Sequence, residues 1–182
     1  IVSSPELDNN KIISSKKEVL IENVIEAIEN DHKVLIFVNY LSSIESICNS
    51  LKENKIKFLK MTGQTKDRQS LVDKFQSDNR YKVFVMTLKT GGVGLNLVSA
   101  DTIFIYDPWW NKTVENQAID RAYRLGQDKT VFAYKMIMRN TIEEKILKLQ
   151  EIKDKLLDDL ISEDNLSTKN LSKNDIEFIL GN

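Results

Sequence analysis

One cysteine, Cys48, and one histidine, His32, stand in a chain of 182 residues. That scarcity excludes an internal disulfide framework and any zinc site built on Cys and His. No apolar run approaches the roughly 18 residues of a membrane span, and no secretory leader is recognisable. Excess charge of either sign is also missing: the net charge is −1 and the pI near 6.0. No global positive field therefore draws the chain to nucleic acid, and any such contact must be a local groove. A phosphate-cradling GxxxxGK[ST] loop is absent, as is an acid-rich magnesium motif. There are only two prolines, Pro5 and Pro108, and neither interrupts an apolar run. Internal repeats and long low-complexity segments are lacking. The stretch IVSSPELDNN reads as a severed end within a longer chain, and the whole reads as intracellular. Abundant Lys, Ile and Asn are what A+T-rich codons produce.

What is present suffices for a core, with 41% hydrophobic residues. Ser15 and Glu18 have capping-box spacing, and Leu20, Val24 and Ile28 recur every four residues, predicting a helix over 16–30. KVLIFV, 33–38, is unbroken and apolar, as suits a strand covered on both faces of a parallel sheet. Ser42 with Glu45 repeats the capping spacing ahead of Ile44, Ile47 and Leu51. IKFLK is a short strand, and Thr65 is placed to cap a helix carrying Leu71, Val72 and Phe75. YKVFVM at 81–86, TIFIY at 102–106 and VFAYKMIM at 131–138 complete five strands. Strands alternating with helices at this spacing predict βαβ units: an α/β fold with an open parallel sheet and helices on both faces. Thr141 and Glu144 begin a last long helix with the stripe Ile142, Ile146, Leu149, Ile152, Leu156 and Leu160. It is expected to pack on the domain, a partner-binding helix being the alternative. Residues 162–172 read as a polar loop, and Asp175 to Leu180 as a short amphipathic helix.

Ligands of open parallel sheets bind beyond the carboxyl ends of the strands, so the loops there matter most. TLKTGGVGLNL clusters Gly91, Gly92 and Gly94, permitting close approaches closed to other residues. A tight ligand-free turn explains such a cluster equally well. A dinucleotide fingerprint would need a third glycine where Leu97 stands. In DPWWN, Asp107 to Asn111, the adjacent tryptophans cannot both enter one core, so one is exposed or wedged at a surface. Asn39 and Tyr40 offer polar groups after the first strand. QAIDRAYRLGQ, Gln117 to Gln127, is the most informative stretch. Helical geometry advances about 100° per residue, so Gln117, Arg121 and Arg124 would share one face and present two planar charged forks to a phosphate. An ion pair between Asp120 and Arg124 is the ordinary explanation of the same spacing. Gly126 would end that helix.

In order, KVLIFVNY, GQTKDRQSLVDKFQ, TLKTGGVGLNLVSADTIFIYDPWWN and QAIDRAYRLGQ resemble the successive motifs of the C-terminal motor lobe of SWI/SNF-type DNA translocases, members of helicase superfamily 2. The resemblance covers roughly residues 14–150. It implies a second RecA-like lobe over 14–140, a flexible lead-in over 1–13, and a brace helix, polar loop and short helix over 141–182. It further implies ATP hydrolysis between two lobes, movement along double-stranded DNA and remodelling of protein–DNA complexes. Arg121 and Arg124 match the family's arginine fingers. Gly92, Gly94, Asn96 and Gln117 match nucleotide-side positions, and Asn39, Thr87, Lys89, Thr90 and Trp110 match DNA-contacting ones. Gly63, Thr65 and Arg68 match the motif between, and RNTIEEKI resembles the brace helix. ATP and Mg²⁺ would be held mainly by a first lobe joined in cis, which this sequence does not contain, so the isolated lobe is expected to be inactive; no membrane is implied. The setting would be a bacterial nucleoid or a nucleus. Tyr123 stands where many members have histidine, and Lys112 where proline often follows the WN pair. Two other classes compete: a non-enzymatic interaction module using the long helix, and a nicotinamide or sugar-nucleotide enzyme.

Overall fold

The computed structural model describes residues 15–91, 94–124 and 126–161, without the side chains of 156–161. Gly92, the polar loop of 162–172 and the helix expected at Asp175–Leu180 lie outside them. Five strands alternate with helices: α1 (Ser15–Glu29), β1 (Val34–Val38), α2 (Leu41–Glu53), β2 (Phe58–Met61), α3 (Arg68–Ser77), β3 (Val83–Thr87), α4 (Leu88–Gly91), β4 (Thr102–Ile105), α5 (Lys112–Ile119), β5 (Phe132–Lys135) and α6 (Ile142–Ile161). The strands form one sheet in the order β2-β3-β1-β4-β5. Every pairing is parallel.

β1 lies at the centre, and all five of its residues are buried, which is why its sequence is an apolar run without alternation. Val34, Ile36 and Val38 face a cluster with Leu20 and Val24 of α1 and Ile44, Ile47 and Leu51 of α2. Leu35 and Phe37 face the other, with Val72 and Phe75 of α3 and Ala118 of α5. Helices thus cover both faces, as the alternation of elements predicts. β5 is an edge strand whose Phe132 and Tyr134 are half exposed, the latter ring stacked 5.3 Å from Phe104.

Several helix starts differ from those read in the sequence. α2 begins one residue before Ser42, after Tyr40, which makes no side-chain cap. Asp67, not Thr65, caps α3, its Oδ1 accepting from Ser70 N at 3.1 Å. The Thr65 hydroxyl is already used, accepting from Thr62 N at 3.0 Å and closing the turn after β2. At α6, Thr141 Oγ1 accepts from Glu143 N, but Glu144 reaches back to Asn140 N rather than to Thr141. A buried ion pair joins the first and last helices: Lys16 Nζ lies 2.5 Å from Glu143 Oε1. Burial pushes the Lys16 ammonium below its usual range, while hydrogen bonding and charge from Glu143, and the charge of Asp107, push it back up. Of the α6 stripe, Ile152 is buried and Ile142 is exposed. Among the described residues, no helix is long and apolar enough to cross a membrane.

Candidate functional site

A cleft of about 380 Å³ opens at the carboxyl ends of the central strands, where an open parallel sheet places ligands. Asn39 and Tyr40 enter it from the end of β1, Gly63 and Arg68 from the β2–α3 connection, Thr87, Lys89 and Thr90 from β3 and α4, and Trp109 from the loop after β4. Four of the five positions read as DNA-contacting, Asn39, Thr87, Lys89 and Thr90, therefore converge from segments far apart in sequence.

Each wall is fixed by local chemistry. Asp107, 1% exposed, accepts at Oδ2 from Asn39 N (3.0 Å) and Tyr40 N (3.4 Å), while Asn39 Nδ2 donates to the Asp107 carbonyl at 2.7 Å. The loops after β1 and β4 are thereby clamped together. Arg68 donates from Nη2 to Gly63 O (3.2 Å) and from Nε to Thr65 O (3.4 Å), bracing its own turn. Thr87 Oγ1 accepts from Thr90 N at 3.3 Å and lies 2.6 Å from Thr90 Oγ1, so it caps α4. Thr90 is consequently buried, whereas Lys89 is exposed. Of the two tryptophans it is Trp109 that lines the cleft; Trp110, 48% exposed, has Lys153 Nζ 4.7 Å above its ring.

The arginines are arranged otherwise than a helical stripe. α5 ends at Ile119 with Asp120 as its C-cap, so Gln117 is helical but Arg121 and Arg124 lie in the turn that follows. The chain tightens there: Arg121 N donates to Ala118 O at 3.3 Å and Ala122 N to Ile119 O at 3.0 Å, three-residue bonds in place of the four-residue bonds of an α-helix, and the carbonyls of Arg121 and Ala122 are engaged by other segments. Leu97 N donates to Arg121 O at 3.0 Å, and Gln127 Nε2 donates to Ala122 O at 3.3 Å. The same Gln127 amide donates to Val98 O and Ala100 O at 2.7 Å, and its Oε1 accepts from Lys129 N. Gln127 thus staples the arginine turn to the segment after the glycines. Gly126 has φ +100 and serves this turn, seven residues beyond the helix end. No ion pair joins Asp120 to Arg124 among the described residues. Arg124 is exposed and Arg121 half buried.

Gly94 (φ +54) and the exposed Asn96 lead into Leu97, so the structure brings these positions beside Arg121. Asn96 O also accepts from Gln76 Nε2 at 2.6 Å. Leu97 itself, at the position where a dinucleotide fingerprint would have its third glycine, is fully buried in the core. Gln127, Asp107 and Trp109 are not among the site residues that the sequence points to, although Asp107 and Trp109 belong to the DPWWN loop. For Gln127 the signal is that it closes the same motif that Gln117 opens.

Residues 15–126 match the family model described as helicase conserved C-terminal domain. The chain belongs to that family. An ATP-dependent helicase of Mycoplasma pneumoniae is 40% identical over 83% of this chain and 15% of its own length. The chromatin-remodeling ATPase INO80 of Candida glabrata is 36% identical over 80% of this chain and 10% of its own. Among solved structures, the C-terminal part of the Fun30 ATPase domain superposes with TM-score 0.70 and 36% identity, covering 74% of this chain and 45% of that one. This helicase C-terminal domain is RecA-like and of the SWI/SNF type. It spans about one sixth or less of the length of these curated relatives.

Proposed function

We propose that this helicase C-terminal domain is the second motor lobe of an ATPase that translocates on double-stranded DNA and remodels protein–DNA complexes. One observation carries the reading: Thr87 to Thr90 line the cleft, and Leu97, seven positions after Thr90 in the sequence, is hydrogen-bonded to the arginine turn. A backbone contact made at Thr87 or Lys89 and a phosphate contact made at Arg121 or Arg124 would share one short segment.

The donor set fits the phosphate side of a nucleotide. Two guanidiniums three positions apart, one of them exposed, offer forked N–H donors to a developing negative charge. ATP, when bound, supplies the phosphoryl group, and this chain's part is to stabilise its charge and to couple that event to DNA. Gly94, Asn96 and Gln117 lie on the nucleotide side. Among the described residues, no three His, Cys, Asp or Glu side chains are grouped to hold a metal. By the family resemblance, Mg²⁺ and the triphosphate chain are assigned to a first lobe.

The test is hydrolysis by the complete two-lobed protein. Arg121→Ala and Arg124→Ala should each lower DNA-stimulated turnover by about 10³-fold or more, roughly 4 kcal/mol of transition-state stabilisation, with duplex binding largely kept. Wild-type turnover in either variant would overturn the finger assignment.

A further inference from the structure

The loop that supplies Trp109 to the cleft is held from behind by a closed polar network. Glu115 of α5 is 1% exposed and Gln150 of α6 is 3% exposed. Glu115 Oε1 accepts from the backbone N–H of Trp109 at 2.6 Å. Its Oε2 lies 2.6 Å from Lys135 Nζ and accepts from Gln150 Nε2 at 3.2 Å. Gln150 Oε1 accepts from Lys135 Nζ at 2.7 Å, and Gln150 Nε2 also donates to the Trp109 carbonyl. Both backbone polar groups of Trp109 are therefore fixed by two buried side chains, one on each of two helices.

The grip continues along one face of α6. Gln150, Lys153 and Asp154 are spaced three and four apart, so they lie on one stripe. Lys153 sits over the Trp110 ring, and Asp154 pairs with Lys112 at the start of α5. The stripe thus touches the loop at Trp109, at Trp110 and at the start of α5.

We propose that Glu115, Lys135 and Gln150 are positioning residues through which the seating of α6 sets Trp109 at the cleft wall. Sliding or lifting α6 would withdraw Gln150 from Trp109 O and from Glu115 together, because one amide makes both bonds. Trp109 then loses its fixed carbonyl, and the aromatic wall of the cleft moves with it. The proposal rests on reading that cleft as a DNA-contacting surface.

The sequence contains only two tryptophans, Trp109 and Trp110, so intrinsic tryptophan emission of the 182-residue chain reports this loop alone. Gln150→Met keeps the bulk of the side chain and removes its three hydrogen bonds; Glu115→Gln keeps the shape and removes the charge facing Lys135. Each should raise acrylamide quenching of the tryptophans by about two-fold, and the double variant should resemble either single one, as members of one network do. Each should also weaken binding of a short labelled duplex several-fold. Circular dichroism and a cooperative melt establish folding, and if Glu115→Gln does not fold, Gln150→Met carries the test because it leaves the Glu115–Lys135 pair in place. Quenching equal to that of the unaltered chain in folded Gln150→Met overturns the proposal, whatever the duplex does. If the unaltered chain binds no duplex, the DNA reading of the cleft fails, and quenching still decides whether the network sets the loop.

Discussion

At Gly91 an added Cβ would stand 2.4 Å from Cε1 of Phe37, a fully buried ring at the centre of the sheet. The ring has little room to step aside, because it is fully buried in a close-packed cluster that also holds Leu35, Phe84 and Met86. Gly91→Ala should therefore destabilise the fold by about 1–3 kcal/mol, the usual cost of overpacking, even though alanine is the better helix former by up to about 1 kcal/mol. The control is Gly63→Ala, where nothing lies within 4 Å of the added atom. A urea midpoint lowered for Gly91→Ala and unmoved for Gly63→Ala is the expected pair of results; equal midpoints would show that the Phe37 contact is soft. The glycine cluster thus contains residues present for different reasons. Gly91 is forced by packing, whereas Gly94 is favoured by its positive φ. Sequence shows the cluster and not this division, since the division depends on a ring 54 positions away.

Between elements, the tie from α1 to α6 is the most exposed to mutation. Lys16 and Glu143 are each about 95% buried, and Glu143 Oε2 also accepts from Met138 N at 2.9 Å. Glu143→Ala leaves the Lys16 ammonium buried without its partner and should cost about 3–5 kcal/mol, whereas Lys16→Met combined with Glu143→Leu should cost less, about 1–3 kcal/mol for the Met138 N–H that loses its acceptor. Chemical denaturation of the three chains checks this, and a single-variant loss no larger than that of the double variant would count against it. Elements themselves were largely legible: the five strands and four of the six helices, α1, α2, α3 and α6, stand within a few residues of their sequence-predicted places, because apolar run length and period decide them. The four-residue α4 is too short to show a period. The end of α5 was hidden for another reason. Its sequence continues to favour a helix through Arg124, but the last turn tightens into bonds from Arg121 N to Ala118 O and from Ala122 N to Ile119 O, and the Arg121 and Ala122 carbonyls turn to Leu97 N and the Gln127 amide. Leu97 arrives from 24 positions away, outside the window that a local pattern inspects, and tertiary hydrogen bonding overrides propensity there.

For the whole molecule, net charge sets how the proposed DNA contact must behave. A chain of net charge −1 has no long-range field to recruit a duplex. The cleft brings together only two cationic side chains, Arg68 and Lys89, beside the polar groups of Asn39 and Thr87. Each phosphate neutralised on a duplex contributes about −0.9 to the slope of log K against log salt, so two contacts give a slope of about −2. Binding of a labelled duplex by the 182-residue chain should accordingly be weak, with that shallow dependence. Lys89→Ala and Arg68→Ala should each reduce the slope by about one and lower affinity evenly across sequences, since phosphate contacts carry no base information. Arg68 also braces the Gly63–Thr65 turn, so its variant should lose additional affinity at high salt, where the Coulombic part is screened; Lys89→Ala should not. A slope steeper than about −4, or one that neither substitution changes, would place the duplex on a surface other than this cleft.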